Sequence, residues 1–550
     1  MKNKISILQL RIWLVKIDWK LLVFLCLFLN FKLIIKVAAI VIIYALQPGF
    51  KFGFRIKNSR LPFFYVSLIG IALINWLFTG MTGGLIYLPV LMTGIAYWVL
   101  CILAIHQIKT AVEKNEPEVL HRTILFFFIV NALISLSVYA GIVWETGVIN
   151  PYLYQGNYQK YFIGTGDYIK GITFDTSIGN AVISALGVIY FLLQGKNGPA
   201  LLCMLVLLLT GSNFTNFLLC CTLLYIFFLQ SNKDQKSMIV VCMLMLVVFF
   251  VKVSPQNNQY VVTAWRKFFN IEKPNTKNDK AFIPLTERPD SVLTTAERKQ
   301  KFAQLYLDSI NISLSEKYKK MPISGSSTTA DVMARPAKSG DSIHTPAFQH
   351  RNDTNEAEKK LIRFIKNNRG ELRISSGLSN GSKLPGKLAA VQQTLHFFSQ
   401  HPLKLLTGSG IGNFSSKLAF RATAMNITGN YPARFTYINE DFKQNHLDLY
   451  LFYFTAKDDY HSVMNSPNST YDQLLGEYGL AGIFSFAILY VGFFTKQLTK
   501  HSLVIPLLLL MLGAFFIEYW FEQLSVVVLF ELLIFLHIKE TTVIKNDATK

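Results

Sequence analysis

The chain has 550 residues, of which 51% are hydrophobic, 16% charged and 14% aromatic, and its formal net charge is +21. An ordinary soluble domain has about 25% charged residues, so this composition excludes a soluble enzyme, a coiled coil and a disordered chain. About half of the 550 residues are apolar, and at about 20 per span they fill around a dozen membrane spans.

Apolar runs separated by polar breaks predict the spans in chain order. The first run, about 21–47, is interrupted by Asn30 and Lys32, and we count it as two spans joined by a tight hairpin. Basic residues flank the run on both sides, and the positive-inside rule then places both flanks in the cytoplasm. Further spans are predicted at about 61–80, 84–106, 123–145, 178–194, 199–211, 214–230 and 238–253.

The basic charge lies largely in short loops beside these apolar runs, which indicates topology rather than nucleic-acid binding. The cysteines all lie in apolar runs, and no C-x-x-C pair occurs among them. We therefore expect neither a zinc site nor a disulfide framework, and no metal or cofactor.

A long polar region, about 254–473, follows the ninth predicted span. Its part 265–385 is rich in Lys, Asn, Ser, Thr and Asp, which favours an insert of loose helices or partial disorder. Its part 386–473 is more aromatic and is predicted to be a catalytic-type loop. The last three spans are predicted at about 474–496, 501–519 and 521–538.

These patterns predict an all-α polytopic membrane protein of about 12 transmembrane helices, with both ends in the cytoplasm. Its membrane domain consists of residues 1–253 and 474–550, and residues 254–473 form one large, mostly helical extracytoplasmic loop between spans 9 and 10.

Two sequence patterns within the loop 254–473 favour a functional site there. Apolar residues of 387–400 recur at helical spacing, and the breakers Pro385-Gly386 and His401-Pro402 flank this predicted amphipathic helix. Gly408, Gly410 and Gly412 then permit a tight turn whose amides could cradle a phosphate, although such a glycine pattern alone is weak.

Residues 385–421 and 467–490 together resemble the C-terminal region of the bacterial O-antigen ligase and O-antigen polymerase family. That family has a basic residue after Gly, an amphipathic helix, "hP", a Gly-rich "G-x-G-x-x-F", "HN-x-Y-L" and then "E-x-G-x-x-G". The matching positions are Lys387, His401-Pro402, Gly408 to Phe414, Tyr471, Glu477, Gly479 and Gly482. Weaker likenesses are Lys170-Gly-Ile-Thr-Phe, beside the family's "R-x-x-G-T-F", and Thr210-Gly-Ser-Asn213, beside its "S-R".

The sequence departs from the family pattern at several of these positions. Lys170 and Lys387 replace arginines, Asn213 replaces another, and Asn468 stands where the family often has histidine. Lysine keeps the charge but loses the bidentate fork for phosphate, and a base role of the histidine does not transfer to asparagine.

The resemblance implies a bacterial inner-membrane glycosyltransferase whose large loop is periplasmic. Its donor would be an undecaprenyl-pyrophosphate-linked glycan, and its acceptor a hydroxyl of lipid A-core or of a growing glycan. Cations near the outer membrane face would meet the leaving pyrophosphate, and a base would take the proton of the hydroxyl. The expected pyrophosphate-binding residues are Lys170, Lys387, Arg421, Arg434, Gly408, Gly410 and Gly412.

The sequence does not identify which residue is the general base. The catalytic candidates are Glu477, His401 and the histidine-replacing Asn468, and His446, Glu440, Asp441 and His461 are also possible. Glu477 could instead be a first-turn carboxylate at a helix N-terminus, and each cation could simply face solvent or lipid headgroups.

Three alternatives also stay open. A polymerase shares the donor chemistry of a ligase, and the very long late loop favours the ligase. A transporter of the same lipid would have broken or ionisable segments in matched halves, which the sequence lacks. A structural role, with the loop as an assembly scaffold, is the third.

Overall fold

The computed structural model describes residues 17–29, 32–49, 61–78, 84–153, 166–174, 176–254, 385–425, 431–455, 463, 466–496 and 502–548. These residues belong to one unit, Met1–Val262 with Ala334–Lys550. The insert predicted at 265–385 lies outside them except for Pro385, as does the loop 51–60.

The described chain is helical and contains no strand. The helices before residue 255 are α1 Trp19–Phe28, α2 Leu33–Leu46, α3 Phe64–Phe78, α4 Gly84–Lys114, α5 Pro117–Thr146, α6 Ser177–Leu193, α7 Asn197–Leu209, α8 Asn213–Leu229 and α9 Lys233–Val248. A π-helical turn, Phe249–Val253, extends α9, and short 3-10 helices cover Pro151–Leu153 and Gly171–Thr173.

The later helices are α10 Gly386–Gln400, α11 Lys404–Thr407, α12 Lys417–Ala422, α13 Glu440–Asn445, α14 Leu447–Thr455, α15 Thr470–Ser485, α16 Gly492–Thr495, α17 Val504–Ala514, α18 Trp520–Gln523 and α19 Ser525–Ala548. A 3-10 helix covers Ala433–Phe435, and a π-helical segment, Phe486–Val491, joins α15 to α16.

Four helical segments are long and apolar enough to cross a membrane: Ile86–Lys114, Pro117–Thr146, Lys233–Val253 and Thr470–Thr495. Shorter apolar helices are α1, α2, α3, α6, α7, α8 and α17. The break predicted inside the first apolar run separates α1 from α2. The all-helical class is thus confirmed for the described residues, and the long apolar helices suggest a membrane protein. The count of twelve spans stays a prediction.

The helix ends follow local sequence signals. Pro117 occupies the first turn of α5, and Gly147 ends that helix in the left-handed conformation with φ 67°. Asn232 and Gln235 form a capping box at the start of α9. The predicted limits of the amphipathic helix are also confirmed, because α10 begins after Pro385 and ends before His401.

Two helices occupy the centre of the bundle. In α6, all residues from Gly179 to Leu192 are buried, and in α19 the residues from Ser525 to Leu536 are buried. A helix that is hydrophobic nearly all round lies in a protein core or spans a membrane. These helices contact each other, and α4 also packs on α19.

Candidate functional site

The glycine-rich loop, residues 408–416 between α11 and α12, packs directly on a break in α15. At Gly479 the backbone is not helical, with φ 64° and ψ −159°. The Ser409 amide donates to the Gly476 carbonyl at 2.9 Å, and the Gly410 amide donates to the Glu477 carbonyl at 3.0 Å. Both parts of the family resemblance therefore meet here, although they are separated in sequence.

Glycine is required on both sides of this contact. A Cβ on Gly408, where φ is +75°, would lie 2.2 Å from the carbonyl carbon of Glu477. A Cβ on Gly479 would lie 2.5 Å from the carbonyl carbon of Leu406. Any side chain would clash with backbone, which cannot move aside easily, so these glycines allow the loop and the helix to touch.

The loop surrounds a carboxylate of its own chain. Glu477 is buried, and its Oε1 accepts from the Phe414 amide at 3.4 Å. The Gly412 backbone and the Ser416 hydroxyl also interact with this carboxylate. The predicted contact of the loop with a pyrophosphate stays a prediction, and it would compete with these internal bonds.

Asp472 is the acceptor in a second buried polar group. Its Oδ1 accepts from the Thr394 hydroxyl at 2.6 Å, and its Oδ2 accepts from the Ser415 hydroxyl at 2.5 Å. Nε2 of His446 lies 3.6 Å from Oδ2 of Asp472 and 3.1 Å from the Thr394 hydroxyl. The group joins α10, the glycine-rich loop and the start of α14 to α15.

His446 is held from both ends of its ring. Nδ1 lies 3.0 Å from the amide oxygen of Gln393. The edge of the ring meets Phe414, with ring centroids 4.5 Å apart. Burial lowers the pKa of the His446 imidazole below its usual value, and the charge of Asp472 offsets only part of that effect. The ring is therefore neutral at pH 7.

Lys387 lies in the interior rather than on an accessible surface. Its side chain is 1% exposed, and its ammonium donates to the backbone carbonyl of Asn468 and, at 3.2 Å, to that of Ile517. Burial lowers the pKa of Lys387 to about 7, while the carboxylates of Glu518 and Asp472 raise it. Lys387 thus fixes the start of α10 to the backbone at Asn468 and Ile517.

Asn468 stands at the edge of the same region. Its side-chain amide donates to Oε1 of Glu518 at 3.0 Å. The Thr470 hydroxyl donates to the Glu518 carbonyl at 2.7 Å. The residue at the family's histidine position therefore orients a neighbouring carboxylate.

A third polar group contains the cations that are partly accessible. Oε2 of Glu522 accepts from the backbone amide of Leu418 at 3.0 Å, and its Oε1 accepts from the side-chain amide of Gln473 at 2.5 Å. Arg421 and Lys417 interact with this carboxylate. Arg421 also donates to the Tyr97 hydroxyl at 3.1 Å, and both cations are half-buried. We call the three groups around Glu477, Asp472 and Glu522 the buried polar centre.

The other predicted site residues lie in other surroundings. Lys170 is half-buried before the 3-10 helix Gly171–Thr173, where its carbonyl accepts from the Thr173 hydroxyl at 2.7 Å. Exposed Arg434 lies 4.6 Å from the ring of Phe435. Exposed His401 ends α10, 4.8 Å from the Phe397 ring. Binding of one pyrophosphate by both Lys170 and Lys387 stays a prediction.

The sequence interpretation missed several members of the centre, namely Gln393, Thr394, Ser415, Ser416, Lys417, Asp472, Gln473 and Glu522. It also missed Glu518, the partner of Asn468. Asp472 had a readable signal, because it is an ionisable residue in a candidate membrane span. Nothing marks Thr394 in the sequence, since its partner lies 78 residues away.

The chemistry available here is acid–base and electrostatic. No group of three or more His, Cys, Asp or Glu side chains suited to a metal occurs in the part of the chain that the structure describes. Comparisons with family models, with curated proteins and with solved structures found no match for this chain.

Proposed function

We propose that this chain is a membrane glycosyltransferase that moves a glycan from an undecaprenyl-pyrophosphate carrier to an acceptor hydroxyl, as an O-antigen ligase does. A surface-polysaccharide polymerase of the same superfamily is the alternative within this chemistry. In this proposal the protein lies in a bacterial inner membrane, with twelve spans and residues 254–473 in the periplasm.

The observation that carries the proposal is the contact of the two resembling segments. Residues 385–421 and 467–490 meet around Glu477 and Asp472, with the glycine-rich loop on the break at Gly479. That segments so far apart in sequence share one buried polar centre supports a common functional role for them.

The centre offers the two kinds of group that this reaction needs. Departure of a lipid pyrophosphate is assisted by positive charge, and half-buried Arg421 and Lys417 are the best placed cations. A neutral imidazole with a carboxylate beside it suits removal of the proton from a hydroxyl, and His446 with Asp472 provides such a pair. Because His446 is fully buried, we propose that α10 and α14 separate when the acceptor binds.

Lys387 and Glu477 then have positioning roles. Both are buried and bonded to backbone, so neither needs to touch the substrate. Lys387 holds α10, and Glu477 holds the loop that precedes α12 and therefore Arg421.

The proposal is tested by deleting the gene and separating the surface polysaccharides on a gel. Loss of long chains on the core, with polymer left on the carrier, identifies a ligase. Products with a single repeat identify a polymerase. An unchanged pattern of glycans in the deletion strain contradicts both forms of the proposal.

A further inference from the structure

Two large apolar side chains are exposed in the short helix after α10 and at the residue before it. Leu403 is 91% exposed and Leu406 is 63% exposed. Leu405 between them points inward and packs against Phe397, Phe398 and Phe414. Because Leu405 packs inward, the side chains of Leu403 and Leu406 are held pointing outward. Exposure of apolar side chains to water is unfavourable and is typical of a contact surface. We call Leu403 and Leu406 the leucine tip.

The leucine tip lies next to two helices, α3 and α15, that also expose apolar side chains. The carbonyls of Thr407 and Gly408 each accept from the side chain of Asn75 in α3 at 2.8 Å. One turn beyond Asn75, Phe78 is 86% exposed. The α3 helix is among the short apolar helices of this chain.

The other neighbour of the tip is α15. The backbone of Leu406 lies against Gly479, so the tip starts where α15 is broken. Phe484 is 58% exposed and Ile488 is 63% exposed further along the same segment. This segment, Thr470–Thr495, is one of the candidate membrane spans, and its exposed apolar side chains face lipid when it crosses a bilayer.

The side chains around the tip are polar. The last turn of α10 exposes His396 and Gln400, and exposed His401 follows. Lys404 forms a 2.5 Å ion pair with Asp441 and also lies 5.4 Å from the ring of Phe397. Apolar side chains bordered by polar and basic ones are the pattern of a segment that lies at a membrane surface.

We propose that the leucine tip inserts among lipid acyl chains and anchors α10 and the glycine-rich loop to the bilayer. The occupant is bilayer lipid because the tip continues the exposed apolar surface of α3 and α15. This inference goes beyond the proposed function, since it assigns a lipid-binding surface whatever reaction the chain performs. Its consequence is that the glycine-rich loop, which surrounds Glu477, begins at the membrane surface.

The test uses a fluorescent label whose emission reports contact with lipid. Cys26, Cys220 and Cys221 are replaced by serine, and the buried Cys101, Cys203 and Cys242 remain. Single cysteines then replace Leu403 or Leu406, and the full chain is placed in phosphatidylcholine nanodiscs and labelled with nitrobenzoxadiazole. Phe484→Cys is the lipid-facing control, and Gln392→Cys, exposed on α10, is the aqueous control.

We expect the labels at 403 and 406 to be quenched by doxyl-labelled lipid as strongly as the label at 484, with emission shifted to the blue. Iodide in the buffer should quench the label at 392 and leave those at 403 and 406 bright. Quenching by iodide at the tip overturns the proposal, because the tip then faces water. Quenching by neither agent overturns it too, because protein then covers the tip. Each variant is used only if it elutes as a single peak before labelling.

Discussion

The hydroxyl of Thr394 donates a 2.6 Å hydrogen bond to Oδ1 of Asp472, across 78 residues of sequence. The bond is buried, and it connects the middle of α10 to the first turn of α15. Such a bond to a carboxylate is about twice as strong as one between neutral groups. It therefore helps to fix α10 on α15, which begins one of the candidate membrane spans.

Substituting Thr394 and Asp472 singly and together should show that the two residues are energetically coupled. We expect Asp472→Asn to lower the free energy of unfolding by about 1–3 kcal/mol, because it loses a charge-assisted acceptor of two hydroxyls. Thr394→Val should cost less when it is combined with Asp472→Asn than in the wild-type chain, with a coupling energy of about 1–2 kcal/mol. Urea unfolding in detergent provides the measurement.

The control cycle pairs Thr394→Val with Ser135→Ala. Ser135 is buried and bonded to Asn131 and Asn180, so it shares no hydrogen-bond partner with Thr394. The two changes should add within about 0.5 kcal/mol. Equal coupling in both cycles would rule out a specific role for the Thr394–Asp472 bond.

The buried ammonium of Lys387 should make stability depend on pH. Its pKa is lowered by burial from 10.5 to about 7 in the folded chain, so between these values the unfolded chain holds one more proton. Stability therefore rises with pH across this window, by at most about 1.4 kcal/mol per pH unit. Below pH 7 both states are protonated, and this contribution stays constant at its lowest value.

The variant Lys387→Met should remove this rise. The difference in melting temperature between wild type and variant, followed by intrinsic fluorescence from pH 7 to pH 10, measures it. Lys404→Met is the matched control, because it removes a half-exposed lysine from the neighbouring α11. Parallel pH curves for wild type and Lys387→Met would contradict the burial of an ionisable amine.

Gly408 should not tolerate a side chain. Alanine there would adopt a left-handed φ of +75° and place its Cβ 2.2 Å from the backbone of Glu477. The strained conformation alone costs about 1–3 kcal/mol, and the clash adds to it. We expect Gly408→Ala to lower the melting temperature or to remove the folded peak in size-exclusion chromatography.

A helical glycine with space around it provides the comparison. Gly141 in α5 has nothing within 4 Å of an added Cβ, so Gly141→Ala should leave the melting temperature unchanged or slightly raised. A Gly408→Ala protein as stable as this control would mean that the loop does not pack on α15 as described.

Arg421 should matter for transfer more than for folding. If it assists the leaving pyrophosphate, Arg421→Ala should lower the transfer rate about 100-fold, and Arg421→Lys should retain part of the rate. Arg122→Ala is the control, because Arg122 forms a surface ion pair with Glu118 at the start of α5. Glycan gels of complemented deletion strains, with immunoblots for protein level, provide the measurement.

Local signals in the sequence predicted the helices well. The breakers at Pro385 and His401 delimit α10, and the polar break at Asn30–Lys32 separates two apolar helices. These features depend on residues close to one another, such as prolines, caps and apolar runs. The apolar residues whose helical spacing predicted α10 do not all face the interior, because Phe398 is buried whereas Leu395 is exposed.

The partners of these elements could not be predicted from the sequence. The buried side of α10 includes Lys387 and Thr394, whose hydrogen-bond partners come from segments about 80 residues away. The glycines were predicted to bind an anion, but the carboxylate they surround in the structure belongs to Glu477. A single sequence contains propensities, whereas these contacts depend on which helices meet in space.

The most direct test of the central claim is transfer by the purified protein. The chain is reconstituted in nanodiscs with a labelled glycan on undecaprenyl pyrophosphate, an acceptor and EDTA, without nucleotide. The account predicts labelled acceptor together with free undecaprenyl pyrophosphate, and loss of both products in Arg421→Ala. The account is contradicted if the folded wild-type protein forms no product and instead moves the intact lipid-linked glycan across the membrane of reconstituted vesicles. That result would indicate a transporter.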